Sequence, residues 1–261
     1  MKNKEPKIIY YSDELNDEFS SAKITAKEIG DDYVYVHTSF FKKITHFFWY
    51  RIIALPIATV YLKLSFHHTI KNRSVLKPYK KTGYFLFGNH TQDIADALIP
   101  TLTVFPKRAY VIVHPNNVSM PFLGRVTPSM GALPLPDTKK ASRNFLHAID
   151  QRYSENNCIM IYPEAHIWPY YTKIRPFSED SFYYPLKHNA PVFCFTNTYQ
   201  KRRFSKKPKI VTYVDGPFFP SSDASARAAR KQLRDAVYSC MTERAKNSSV
   251  EYIQYKKKDK T

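Results

Sequence analysis

His90 stands three positions ahead of Asp93 and six ahead of Asp96, in the run YFLFGNHTQDIADALIP from Tyr84 to Pro100. An imidazole with a carboxylate in reach is a general-base pair. The carboxylate fixes the tautomer and stabilises the imidazolium, so the other ring nitrogen can take a proton from a hydroxyl, a gain of roughly 10²–10⁴ in rate. A second polar group lies further on, Pro163-Glu164-Ala165-His166, followed by Lys173 and Arg175. A helix-capping histidine gives the same local spacing, so the pattern takes its meaning from its structural context. The three cysteines, Cys158, Cys194 and Cys240, have no metal-type spacing; neither a metal site nor a disulfide framework is expected, and a reducing compartment fits.

Both polar groups follow strand-like runs. Tyr84 to Phe87 has the aromatic content of a buried strand, Gly88-Asn89 breaks it, and an apolar-periodic helix is predicted to open at Thr91. Cys158 to Tyr162 is a second such strand and ends at Pro163. The carboxyl edge of an α/β sheet is where such proteins put ligands, and Glu164 then occupies the same slot as His90. On a regular helix three positions share a face and six do not, which favours Asp93 as partner; a one-residue bulge ahead of the helix would favour Asp96. Tyr110–Val113, Val192–Phe195 and Ile210–Val214 complete the strand set. Helices are predicted after a cap at Asp137 or Thr138, with Phe145, Leu146, Ile149 and Tyr153 on one face, and over 221–246, with Ser222 or Asp223 as cap and Leu233, Val237, Cys240 and Met241 facing the core. The Pro- and Gly-rich run Met120–Thr138 reads as an ordered surface loop. Near the start, Ile8–Tyr11 and Tyr33–Val36 read as strands of a small appendage.

With 40 Lys+Arg against 22 Asp+Glu, the formal charge of +18 calls for an anionic partner: a membrane surface, phosphorylated substrates or nucleic acid. No groove-reading or stacking motif is present, so nucleic acid ranks last and is not expected as a partner. Phe47 to Phe66 is the most apolar stretch. It fits a helix lying in a membrane surface, a core helix or a span, and Arg51, Lys63 and Pro56 argue against crossing. Lys201–Lys209, with six basic residues in nine, is either a solvated hairpin tip or a contact for membrane or phosphate. No apolar run of signal-peptide length opens the chain. These shifts divide it into an appendage with membrane-surface helices (1–75), an α/β domain (76–250) and a basic tail (251–261), disordered from Lys256.

In order and type these blocks resemble the glycerolipid acyltransferase family, whose bacterial member makes phosphatidic acid from lysophosphatidic acid. Asn89-His90 with Asp96 is similar to its first block, Gly131-Ala132-Leu133-Pro134 falls at the second, Tyr162-Pro163-Glu164-Ala165 is similar to Phe-Pro-Glu-Gly, and Ala190-Pro191-Val192 matches the fourth. The resemblance spans roughly 80–220 and implies a mostly parallel central sheet flanked by helices, with an N-terminal amphipathic helical segment. It implies transfer of a fatty acyl group from acyl-CoA or acyl-carrier protein to a lysophospholipid hydroxyl, with no other cofactor, by a peripheral or monotopic protein on the cytoplasmic face of the membrane. His90 would be the base, Asp96 its partner with Asp93 as fallback, and Asn89 and Glu164 would bind the substrate, Glu164 positioning the acceptor or bracing the pocket through the basic residues beside it. The family leaves four residues between His and Asp; here five precede Asp96 and two precede Asp93. The second and third blocks lack the family's phosphate-gripping arginines, and Lys139, Lys140, Lys173, Arg175 or His166 would supply that charge. These departures keep a second reading open, a catalytically silent lipid-binding relative. Nothing in the sequence fixes the oligomeric state.

Overall fold

Tyr84–Gly88 is buried along its whole length in the computed structural model, which describes residues 6–20 and 24–258. Phe85 and Phe87 enter one core cluster with Ile159, Ile161 and Val192, while Tyr84 and Leu86 enter another with Met160, Phe193 and Phe195. A strand covered on both faces has no polar side to alternate with, which is why it reads as an unbroken apolar run. The helices Lys139–Ser154 and Ala226–Ala245 close the first face; Leu55–Phe66 and Ala95–Val104 close the second.

The strands in chain order are β1 (Lys7–Tyr11), β2 (Thr69–Lys71), β3 (Tyr84–Gly88), β4 (Ala109–Val113), β5 (Ala132–Pro134), β6 (Cys158–Ile161), β7 (Val192–Gln200), β8 (Lys209–Phe218) and β9 (Ile253–Lys257). Among the described residues the main sheet has the order β2-β8-β7-β3-β6-β4-β5. It is parallel except where β8 runs antiparallel to β7, so the expected α/β architecture with a mostly parallel, helix-flanked sheet is the one observed. The register decides the site. Phe87 pairs with Ile161 and Gly88 with Phe195, so the residues after β3 emerge level with those after β6 and beside the middle of β7.

Several expectations are corrected. The helix after β3 begins at Ala95, not Thr91, because the backbone N–H groups of Thr91 and Gln92 bond back to Asp96. Tyr33–Val36 forms no strand; its rings pack on the core, Tyr35 donating to Pro134 O at 3.0 Å and meeting Phe145 edge-on. The run Met120–Thr138 contains two short helical turns and the edge strand β5, reached through Gly131 at φ 102°, where a Cβ would lie 2.4 Å from Ala109 O. Val192–Phe195 continues to Gln200 through polar residues that are themselves buried. The last helix is capped by Ser225, not Ser222 or Asp223, its hydroxyl accepting from Ala228 N. The tail is ordered through Lys257, pairing Lys256 and Lys257 with Tyr10 and Tyr11 in a parallel two-stranded sheet; expected disorder over 259–261 lies outside the described residues.

The apolar segment is one continuous helix, Phe40–Phe66, longer than the run that announced it. It passes Pro56, which has no N–H to donate, with widened π turns over Phe48–Ala54 just ahead. Tyr50, Ala58, Leu62 and Phe66 are buried, whereas Phe40, Phe41, Ile44, Phe47, Ile57 and Leu64 are exposed. By length and composition it is apolar enough to cross a membrane, and as folded it gives one face to the domain and the other to the outside.

Candidate active site

The six residues from Asn89 to Ile94 form a loop wrapped around one carboxylate. Asp96, in the first turn of Ala95–Val104, is 1% exposed and accepts four hydrogen bonds. Its Oδ2 takes Thr91 N at 2.7 Å, Gln92 N at 2.8 Å and His90 Nδ1 at 2.9 Å, and its Oδ1 takes Asn197 Nδ2 at 3.2 Å. A buried carboxylate is tolerable only when its lone pairs are occupied in this way. Burial raises the Asp96 carboxyl from its ordinary range, opposed first by the hydrogen bond from His90. Asp93 is exposed, and the carboxylate paired with His90 Nδ1 is that of Asp96. Helical geometry favours Asp93 only for a helix that begins earlier than the one observed.

With Nδ1 engaged by Asp96, the other ring nitrogen of His90 is left for a second partner, and the side chain keeps 17% of its surface exposed. The imidazole stacks on Tyr162, centroids 4.3 Å apart and planes 15° apart, and the Tyr162 hydroxyl donates to Asp96 O at 2.5 Å. The ring is thus held by its carboxylate at one edge and by an aromatic face beneath. The backbone N–H of His90 donates to Glu164 Oε2 at 3.3 Å, so the two polar strand ends touch.

Glu164 is 3% exposed, accepts Arg175 N at 3.2 Å, and faces the Arg175 guanidinium at 3.5 Å. Burial pushes its carboxyl up to about 7, against the pull of Arg175. Arg175 is 0% exposed; it donates to Glu164 O, Glu14 O and His166 O and lies over the Trp168 ring at 5.0 Å. Its guanidinium is therefore enclosed by protein and braces the loop, which corrects the expectation that it meets a substrate phosphate. His166 is partly exposed and paired with Glu18 at 3.3 Å. Lys139, Lys140 and Lys173 are exposed at the surface. The residues after Glu164 run alongside those after β3, Trp168 N donating to His90 O at 3.1 Å and Tyr170 N to Thr91 O at 2.9 Å.

Asn89 does structural work that its type alone did not declare. It is 1% exposed and exchanges two hydrogen bonds with Asn197 of β7, Asn89 Nδ2 to Asn197 O at 3.1 Å and Asn197 N to Asn89 Oδ1 at 2.8 Å. These extend the β3–β7 pairing beyond the end of β3. Asn197 Oδ1 in turn accepts from Thr212 at 2.6 Å, and Thr212 Oγ1 meets His68 Nε2 at 2.8 Å. Tyr199 donates to Thr91 Oγ1 at 2.7 Å and accepts from Gln92 at 3.1 Å. Sequence reading missed Asn197, Tyr199, Thr212 and the supporting role of Tyr162. The signal was there in Thr196-Asn197-Thr198, a polar triplet continuing a fully buried strand, since buried polar groups in a strand need specific partners.

The arrangement can hold an imidazole in one tautomer beside a carboxylate, with its remaining nitrogen available for proton transfer. The N–H groups of Thr91 and Gln92, in the loop ahead of the helix, are spent on Asp96 and are not offered to a substrate oxygen. Residues 66–196, half of the chain, match the family model described as Acyltransferase. The crystal structure of the 1-acyl-sn-glycerophosphate (LPA) acyltransferase PlsC from Thermotoga maritima is similar in fold, with a TM-score of 0.55 and 16% identity over 77% of this chain and 83% of that one. No protein of curated function matches in sequence.

Proposed function

The chain belongs to the acyltransferase family, and from that membership we propose that it moves a fatty acyl group from an acyl thioester to the hydroxyl of a lysophospholipid such as 1-acylglycerol-3-phosphate, at a membrane surface. The observation that carries the reading is the His90–Asp96 contact of 2.9 Å in a chain of this family. The free ring nitrogen of His90 removes the proton of the acceptor hydroxyl as its oxygen attacks the thioester carbonyl. The tetrahedral intermediate collapses with cleavage of the C–S bond, the proton passes from the imidazolium to the departing thiolate, and an ester and a free thiol result. Asp96 stabilises the imidazolium in between. Glu164 and Arg175 are positioning residues that set the loop holding the His90 backbone.

The PlsC likeness supports a glycerophosphate acceptor, and Lys139, Lys140, Lys173 and His166 are the side chains proposed to meet its phosphate. The donor is acyl-CoA or acyl-carrier protein. Membrane association is supported by the exposed apolar face of Phe40–Phe66 and the net charge of +18. The test incubates purified protein with a radiolabelled acyl thioester and a panel of lysolipids on anionic liposomes. Transfer to at least one phosphate-bearing acceptor, lost in His90→Ala with liposome binding intact, is the expected result. Undiminished transfer by His90→Ala overturns the base assignment, and no transfer to any acceptor favours a lipid-binding relative without turnover.

A further inference from the structure

A cavity of about 330 Å³ lies at the opposite edge of the sheet from His90. Its lining includes Tyr84, the first residue of β3, whereas His90 follows the last; at roughly 3.3 Å per strand residue the two are on the order of 20 Å apart. The volume is at the small end of ligand pockets. Four cations line it, Arg73, Lys77, Lys80 and Lys107, and no carboxylate does.

The inner pair is fixed. Arg73 Nε donates to Thr103 O at 2.9 Å and its Nη2 to Phe105 O; Lys107 Nζ donates to Thr82 O at 2.9 Å and to Asn156 O, above the Tyr84 ring at 5.3 Å. Neutral carbonyls orient these groups without cancelling their charge, and each keeps N–H donors to spare, out of five on a guanidinium and three on an ammonium. Lys77 and Lys80 stand exposed at the mouth and form no ion pair among the described residues. Leu76, Val104 and the Tyr84 ring supply apolar wall. The rim also adjoins the apolar helix, because Arg51 donates to Pro106 O and lies over the Phe105 ring at 5.4 Å.

Uncompensated cations with spare donors fit a phosphate, and an apolar wall beside an apolar helix fits the chain that carries it. We propose that this cavity is a second site, remote from His90, for the phosphate of an anionic amphiphile. It goes beyond the transfer reaction and stands whether or not His90 is the base.

Hydrogen–deuterium exchange on the full chain tests it, with dihexanoyl phosphatidic acid, dihexanoylglycerol and inorganic phosphate as separate probes. Phosphatidic acid should slow exchange at least threefold over residues 73–84 and 103–107, and Lys77→Glu with Lys80→Glu should raise its half-saturating concentration at least tenfold. Both lysines are exposed, so an unchanged melting temperature shows the variant folded. Inorganic phosphate should need at least tenfold more ligand, and the uncharged lipid should give no protection. Protection confined to 89–92 and 162–175, equal protection by the uncharged lipid, or a response to phosphatidic acid unaltered in the double variant overturns the site. Inorganic phosphate acting at the same concentration as the lipid overturns the amphiphile and leaves a free anion as the source.

Discussion

Asp96→Asn removes one charge from a site where every donor is already committed. An amide oxygen facing Thr91 N, Gln92 N and His90 Nδ1 keeps those three bonds but turns its NH₂ toward Asn197 Nδ2; the other rotamer points the NH₂ at three donors. Asn197 has no easy flip, since its Oδ1 accepts from Thr212. The first rotamer is therefore the better one, and it preserves the histidine tautomer while losing the counter-charge. Attraction between an imidazolium and a carboxylate at 2.9 Å, at an effective dielectric of about 20, is on the order of 6 kcal/mol. The amide dipole and solvent restore part of it, so about 3–5 kcal/mol of transition-state stabilisation should go, roughly 10²–10⁴ in kcat. The radiolabelled thioester assay with the best acceptor measures it, with Asp93→Asn alongside as a surface control expected to stay within about threefold of the parent. An Asp96→Asn protein that melts cooperatively and turns over within threefold of the parent, or a larger loss in Asp93→Asn, refutes the pairing as a catalytic device.

Ala165 sits at φ 61°, a conformation that costs a residue with a Cβ about 1–2 kcal/mol, so Ala165→Gly should gain about 0.5–1 kcal/mol after the entropy that glycine returns to the unfolded chain. Thermal melting checks it, and a lower melting temperature contradicts it. Glu164, raised from 4.5 to about 7 by burial, binds its proton more tightly folded than unfolded; its stabilisation is complete below about 4.5 and is lost as pH rises through 7, on the order of 3 kcal/mol in all. The difference in stability between the parent and Glu164→Gln, followed by urea unfolding, should swing against the parent across that window, and a pH-independent difference argues that Arg175 keeps the carboxylate ionised. Phe40 and Phe41 are 71% and 79% exposed, so replacing both with Ser should leave melting unchanged while weakening partition onto anionic liposomes at least tenfold; equal partition removes this helix from the membrane reading.

The legible part of the fold owes its clarity to burial on two faces. β3 and β6 carry no polar residue until their ends, so both their extent and the polar chemistry beyond them stand out in the sequence. The same rule fails at β7, where the apolar run reads as ending at Phe195 because Thr196 comes next; Thr196, Asn197 and Thr198 are all fully or almost fully buried, and Asn197 and Thr198 find partners in Asn89, Asp96, Thr212 and Val211. Tyr33–Val36 misleads in the other direction, being aromatic and β-branched because its rings fill space on the core rather than because its backbone pairs. β5 is hidden by its shortness and by the prolines around it, and only the glycine before it marks the close approach to β4. Arg175 shows the limit of charge as a guide. Its type and position match a phosphate ligand, while its surroundings are three backbone carbonyls, Glu164 and an indole face.

The spacing from His90 to Asp96, one residue longer than the resembled family's, is accommodated because the intervening residues are not helical. A regular helix from Thr91 would place positions 90 and 96 on different faces, and an extra residue would then rotate the carboxylate away. Here the chain leaves β3 pinned by the Asn89–Asn197 exchange, loops outward, and returns to a helix that starts with Asp96 facing in. The carboxylate is its own template: two backbone N–H groups of the loop converge on the oxygen that also takes His90 Nδ1. Loop length is then a soft variable and the donor set a hard one, since a buried charge stripped of its donors costs several kcal/mol whereas one more loop residue costs a few tenths. Tyr162 and Glu164 reinforce that ordering from the neighbouring strand end, one beneath the imidazole and one on its backbone.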